Sequence, residues 1–136
     1  MSLSIKRRKS VSLTFRGFDI TAEEVADLLG VAASRLGNRG EPVKLGVMTR
    51  LTRSYTIFSM DFVSDCELND MLPALLARLG GLSHLLQVRN VVQPEFLEIH
   101  FELPVRESDE VQDGYLSEAV VADVFQLKAS LSFGFF

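Results

Sequence analysis

Leu97-Glu98-Ile99-His100-Phe101-Glu102-Leu103 alternates apolar and polar side chains without a break. Successive side chains of a strand point to opposite faces, so this period of two predicts a strand with one dry face and one wet face. A sheet covered on one side only is antiparallel or mixed rather than fully parallel. The same alternation recurs at Val11, Leu13 and Phe15 and at Leu131, Phe133 and Phe135. Tyr55 to Val63 is a β-branched and aromatic run without charge until Asp61, which suits a strand covered on at least one face. A further short strand is expected near Val43 to Met48, inside a glycine- and arginine-rich loop spanning residues 31 to 53.

Helix signals lie between the strands. Thr21 with Glu24 three residues on is a capping box, and Ile20 before it can staple onto Val25. Ala22, Val25, Ala26, Leu28 and Leu29 form the apolar face that follows, and Gly30 can end the helix in the left-handed conformation. Ser64 and Glu67 repeat the box ahead of Leu68, Met71, Leu72, Leu75, Leu76 and Leu79, with Gly80 and Gly81 as the stop. That leucine stripe reads as core. Pro73 predicts either a kink or a helix that begins near Leu72. Leu82 to Val88 reads as a short helical turn and the acidic stretch from Arg106 to Gly114 as a loop. Ser117 caps a last helix carrying Val120, Val121, Val124 and Leu127.

The expected architecture is therefore α+β: a mainly antiparallel or mixed sheet of four to five strands, two to three helices on one face, and ferredoxin-like character, with right-handed crossovers between parallel neighbours. Ile20-Thr21 through Ala33-Ser34 resembles Leu116-Ser117 through Ala129-Ser130 at a constant offset of 96 residues, which suggests an internal pseudo-repeat about a twofold axis. Two capped amphipathic helices also look alike by chance.

Composition bounds the rest. A chain of 136 residues, 47% hydrophobic and 24% charged, has the size and balance of one packed domain, assigned to residues 10–136 behind a basic tail at residues 1–9. Cys66 is the only cysteine, so no internal disulfide can form. Nothing after Lys6, Arg7, Arg8 and Lys9 resembles the apolar stretch of a signal peptide, and no apolar run is long enough to cross a bilayer, so a cytoplasmic location is expected. Beyond residue 9, ten basic side chains face eighteen acidic ones. Such a body argues against nucleic-acid binding, which needs a continuous basic surface. The tail itself reads as a solvated terminus. Arg35, Arg39, Lys44, Arg50 and Arg53, opposed only by Glu41, are the candidate ligand-binding residues, around a cleft closed by the glycine loop.

Other constellations carry less. Glu98, His100 and Glu102 share one side of a strand and could serve acid and base roles, but exposed strand positions are usually charged. Cys66 lies near a helix start, where the helix dipole would lower a thiol pKa, yet no nucleophile signature surrounds either histidine. Gly37-Asn38-Arg39-Gly40 matches the GXXG loop of KH domains, but Glu41-Pro42 follows where that loop would enter a helix. No metal, cofactor or catalytic set is expected, and no enzyme activity is assigned.

The order of elements resembles an uncharacterised, mainly bacterial family, domain of unknown function 4279. The likeness rests on the opening strand, the Ile20-Thr21-Ala22-Glu23-Glu24 helix ending in Leu29-Gly30, the glycine loop, the Tyr55 to Asp61 strand, the leucine-rich helix and the closing Leu116-Ser117 helix with its terminal strand. It implies a fold and no activity. The functional expectation is a non-catalytic protein-interaction module, a small bacterial accessory or immunity-type protein that binds another protein or itself through a strand edge. Its acidic half, from Glu95 to Asp123, is the natural surface for a basic partner. The alternative is a small-ligand or anion-binding domain using the basic glycine loop.

Overall fold

Val11, Leu13 and Phe15 are wholly buried, and they lie on strand β1 (Lys9–Arg16), which forms the middle of the sheet. The computed structural model describes residues 8–63, 65–104 and 114–136. After β1 come α1 (Ala22–Leu29), β2 (Arg35–Gly37), β3 (Tyr55–Phe62), α2 (Leu68–Arg78), α3 (Leu82–Val92), β4 (Phe96–Leu103), α4 (Glu118–Leu127) and β5 (Ser130–Phe135). The fold is α+β with a mixed sheet in the order β2-β3-β1-β4-β5.

Three of the four pairings are antiparallel. β1 pairs with β3 and with β4, so that Leu13 faces Phe58 on one side and Ile99 on the other. β2 pairs with β3 and only β4–β5 is parallel. The seven elements from β1 to β4, with α2 and α3 together bridging β3 to β4, follow the split β-α-β arrangement of ferredoxin-like folds. α4 and β5 extend it by one parallel unit.

One face of the sheet is dry. Val11, Leu13, Phe15, Thr56, Phe58, Leu97, Ile99 and Phe101 are buried there against Val25 and Leu29 of α1, Met71, Leu72, Leu75 and Leu76 of α2, Leu85, Val88 and Val92 of α3, and Val120, Val124 and Leu127 of α4. Phe15 and Phe58 meet edge to face across the strand pair, with ring centres 6.4 Å apart. Thr56 is the one fully buried polar side chain of this layer, and its hydroxyl donates to the Ala22 carbonyl at 3.1 Å, tying α1 to β3. Among the described residues no single helix is long and apolar enough to cross a membrane.

Several expectations need correcting. The strand near Val43 to Met48 is absent; the pairing strand is β2, eight residues earlier, because Arg35, Leu36 and Gly37 lie opposite Ile57, Thr56 and Tyr55. Residues 42 to 50 instead form a tied turn, held by Val43 N–H to Thr49 C=O at 2.8 Å and by a bridge between Pro42 and Arg50. Leu82 opens a full eleven-residue helix, so the described residues hold four helices rather than two or three. The cap of α2 is Glu67 without a side-chain hydrogen bond, and Ser64 of the expected box lies outside the described residues. Pro73 neither starts that helix nor ends it; α2 runs through it. Lys9 belongs to β1 and not to a tail: it is 7% exposed and its Nζ donates to the Cys66 carbonyl at 2.7 Å. Residues 1–7 and the stretch at 105–113 lie outside the described residues.

Thr21 caps α1 with both halves of the box present, and Gly30 closes it at φ 74°. Ser117 caps α4 by accepting the Val120 N–H, without the reciprocal half of a box, since its own N–H goes to Asn69 Oδ1. The two look-alike segments thus both deliver a capped helix into an edge strand, but β2 is antiparallel to its neighbour and β5 parallel.

Candidate functional site

The sheet ends in two unlike edges. β2 is three residues long and carries an exposed Arg35, which are both ways of blunting an edge against further pairing. β5 is six residues long, Ser-Leu-Ser-Phe-Gly-Phe, with no charge and no proline. Its Leu131, Phe133 and Phe135 point to the dry side of the sheet, in register with Ile99, Phe101 and Leu103, yet they are 37%, 41% and 61% exposed. Phe133 stacks on buried Phe101 with ring centres 5.3 Å apart and shows its other side to solvent.

α4, which leads into β5, also exposes apolar side chains. Its Val120, Val124 and Leu127 are buried, whereas Val121 and Phe125, one turn apart, are 50% and 81% exposed. At 100° per residue those two lie to one flank of the buried stripe, opposite the half-buried Asp123. Sequence periodicity groups Val121 with Val120, Val124 and Leu127, whereas the structure leaves Val121 and Phe125 outside the buried stripe. The signal that could have found them is the surplus of apolar positions on a helix that has only one buried stripe to fill.

The reverse face of the sheet is polar. Ser10, Ser12, Thr14, Ser59, Glu98, His100 and Glu102 line it, and Arg16 pairs with Glu98 at 2.7 Å. His100 reaches toward β5, its Nδ1 2.6 Å from Ser132 Oγ and its Nε2 2.6 Å from Glu102 Oε1. A carboxylate only accepts, so Nε2–H is donated to Glu102, and in the neutral ring Nδ1 then accepts the Ser132 hydroxyl. The chain of bonds has the polarity of a nucleophile and its base. It lies across an open strand pair, with His100 and Glu102 side chains 35% and 43% exposed. Among the described residues no three His, Cys, Asp or Glu side chains gather as a metal-ligand set.

The five basic candidates are all exposed and do not converge as a group. Arg39 and Arg53 line a cleft of about 210 Å³ with Asp19, Ser54, Gln93 and Glu95. Arg53 is paired with Glu95 at 3.1 Å and its guanidinium sits 5.4 Å from the centre of the Phe96 ring. Arg50 closes the loop on itself by donating to the Gly40 carbonyl at 2.8 Å. Arg35 stands on β2 and Lys44 at the loop tip, away from that cleft. The tip also exposes Leu45 and Met48 almost completely, at 101% and 96%.

The GXXG-like loop is engaged internally. Asn38 Oδ1 accepts the Ala22 N–H at 2.8 Å, at the first turn of α1, and Asn38 Nδ2 donates to Glu23 Oε1 at 2.8 Å. The helix N-terminus that a phosphate would use is therefore filled by a side chain. Gly37 is required by close packing, since a Cβ there would lie 2.7 Å from Leu51 and Tyr55 side-chain atoms. Cys66 also departs from expectation. Burial and, after it, the Asp70 carboxylate push its thiol pKa up, not down, while Lys9 opposes them. No reactive thiolate is favoured there.

No family model, curated protein or solved structure matches this chain.

Proposed function

We propose that this chain is a non-catalytic protein-interaction module whose docking face is the outer edge of β5 together with the exposed flank of α4. The observation that carries the reading is the exposure of Leu131, Phe133 and Phe135 on a strand that has no charge, no proline and, among the described residues, no outer neighbour, with Val121 and Phe125 exposed on the helix that leads into it. Pairing along a strand edge supplies main-chain hydrogen bonds, while the side chains on one face supply the apolar contact. The reading includes kinship with the domain of unknown function 4279 family and a bacterial, cytoplasmic accessory or immunity-type role. To test it, the immobilised chain and its Phe125→Asp and Phe133→Lys variants are exposed to native extract. Stoichiometric retention of a protein by the parent and its loss in both folded variants supports the reading. A strictly monomeric chain that retains nothing removes it.

A second reading rests on the cleft that brings together Arg39 and Arg53: a binding site for a small anion or zwitterion, with Asp19 and Glu95 on the opposing charge. Inorganic phosphate and sulfate should then raise the melting temperature of the parent and not that of the Arg39→Ala, Arg53→Ala double variant. Equal shifts in both proteins, or none in either, count against it.

A further inference from the structure

We infer that the partner of the β5 edge is a second copy of this chain, joined by antiparallel β5–β5 pairing about a twofold axis through Phe133. The inference rests on the docking-face reading above and adds to it an occupant and a register.

The backbone sets the register. Phe136 N–H donates to the Leu103 carbonyl, so its polar groups face β4. In a strand the groups of alternate residues face the same side, and in parallel pairing a residue directs both its N–H and its C=O toward one neighbour. Ser130, Ser132 and Gly134 therefore face β4 as Phe136 does, and Leu131, Phe133 and Phe135 direct their N–H and C=O groups outward. Among the described residues no strand pairs on that side. An antiparallel partner centred on Phe133 sets Phe133 opposite its own copy and Leu131 opposite Phe135. Each of these is a pair that exchanges both hydrogen bonds, so all three outward-facing residues are satisfied at once.

The side chains agree with this register. A twofold axis normal to the sheet keeps the dry faces of both copies on one side, so Leu131, Phe133 and Phe135 meet their counterparts while Ser132 meets Gly134 on the polar side. Without a charge on β5, no like charges are set opposite one another. Val121 and Phe125 are also exposed on α4, the helix that leads into β5. From the exposed fractions of the five apolar side chains, roughly 500 Å² of apolar surface per copy is open. A standard interface takes about 800 Å² from each partner, so these side chains would supply the larger part of it. Isologous twofold dimers are also the commonest closed assemblies of identical chains.

Amide hydrogen exchange by NMR on the intact chain, at about 100 µM, well above the micromolar Kd of weak interfaces, together with sedimentation, tests the proposal. The expected result is a mass of two chains, with the amides of Leu131, Phe133 and Phe135 exchanging as slowly as those of Ser132 and Gly134. Phe133→Lys should give a folded single chain, by circular dichroism, in which protection is lost at the surviving outward-facing amides of Leu131 and Phe135. If that variant does not fold, Phe133→Cys in a Cys66→Ser background serves instead. The paired Cα atoms, about 5.5 Å apart, permit a disulfide, and Ser59→Cys in the same background should not cross-link. A single chain whose outward-facing amides exchange fast overturns the self-pairing, as does cross-linking that is equal at residues 59 and 133. A monomer whose β5 variants still lose a retained partner overturns the self-pairing alone; a monomer that retains nothing overturns the docking face as well.

Discussion

The Glu102 carboxylate occupies the space that a side chain at residue 134 would need: a Cβ on Gly134 would lie 2.7 Å from both of its oxygens. Glycine at this point of β5 lets a side chain of β4 lie across the neighbouring strand while it holds His100 Nε2. The carboxylate is the far end of a flexible chain, so Gly134→Ala should displace it at a cost below about 1 kcal/mol. Nitrogen-15 spectra of the His100 ring should then show the Nε2 tautomer losing its preference, with Ser132 as the remaining partner. Unchanged ring shifts would mean that Glu102 does not set the tautomer.

At the start of α1, three bonds share one helix end. Thr21 Oγ1 accepts the Glu24 N–H at 3.1 Å, Glu24 Oε2 accepts the Thr21 N–H at 3.3 Å, and Asn38 Oδ1 accepts the Ala22 N–H at 2.8 Å. Thr21→Ala should cost about 1 kcal/mol in urea denaturation. Asn38→Ala should cost at least as much, because it also frees the loop from Glu23. The double variant should depart from the sum of the two, since neighbouring changes at one terminus couple.

Pro73 is exposed in the middle of α2, where it leaves the Asn69 carbonyl without its helical donor. Restoring that N–H with Pro73→Ala should stabilise the protein by about 1 to 3 kcal/mol, less whatever unfolded-state entropy the proline had removed. A rise in melting temperature of several degrees is the expected readout. A fall would show that the helix needs the proline's geometry at this turn.

Cys66 makes a pH prediction. Its thiol pKa is raised above the ordinary 9.0, by burial first and by Asp70 next. The unfolded thiol therefore ionises before the folded one, and the folded state binds more protons in that interval. By linkage the stability contributed by the neutral thiol is complete below pH 9.0 and is lost as pH climbs toward the folded value. Cys66→Ser should flatten the fall of stability in that alkaline window. Alkylation of the native thiol should likewise show a midpoint above that of the unfolded chain; a midpoint below it would restore the case for a reactive cysteine.

Local physics wrote much of this fold into the chain. The alternations at Val11 to Phe15, Leu97 to Leu103 and Leu131 to Phe135 give β1, β4 and β5, and the caps at Thr21 and Ser117 open α1 and α4 where the spacing placed them. Strand length near residue 40 was another matter. Arg35, Leu36 and Gly37 have no strand pattern of their own and become β2 only because Tyr55, Thr56 and Ile57 offer them a ladder. The candidate site divides in the same way. Arg39 and Arg53 meet at one cleft because β1 and the loop before β3 end together there, through the Gly17 N–H to Ser54 carbonyl bond at 2.8 Å. Arg35, Lys44 and Arg50 share their charge but not that place.

By itself, then, the sequence determined the class of fold, the elements with strong periods or caps, and which side chains were apolar enough to need cover. Those properties reside in residues three or four apart and require no distant partner. Only the tertiary structure decided which apolar residues receive that cover. Val124 is buried while Phe125 stands open, and Phe101 is buried while Phe133 is half bare. The difference comes from where the sheet stops: among the described residues β5 is its last strand. Burial at an edge depends on what lies beyond it, and that is a property of the assembled layers rather than of any stretch of chain.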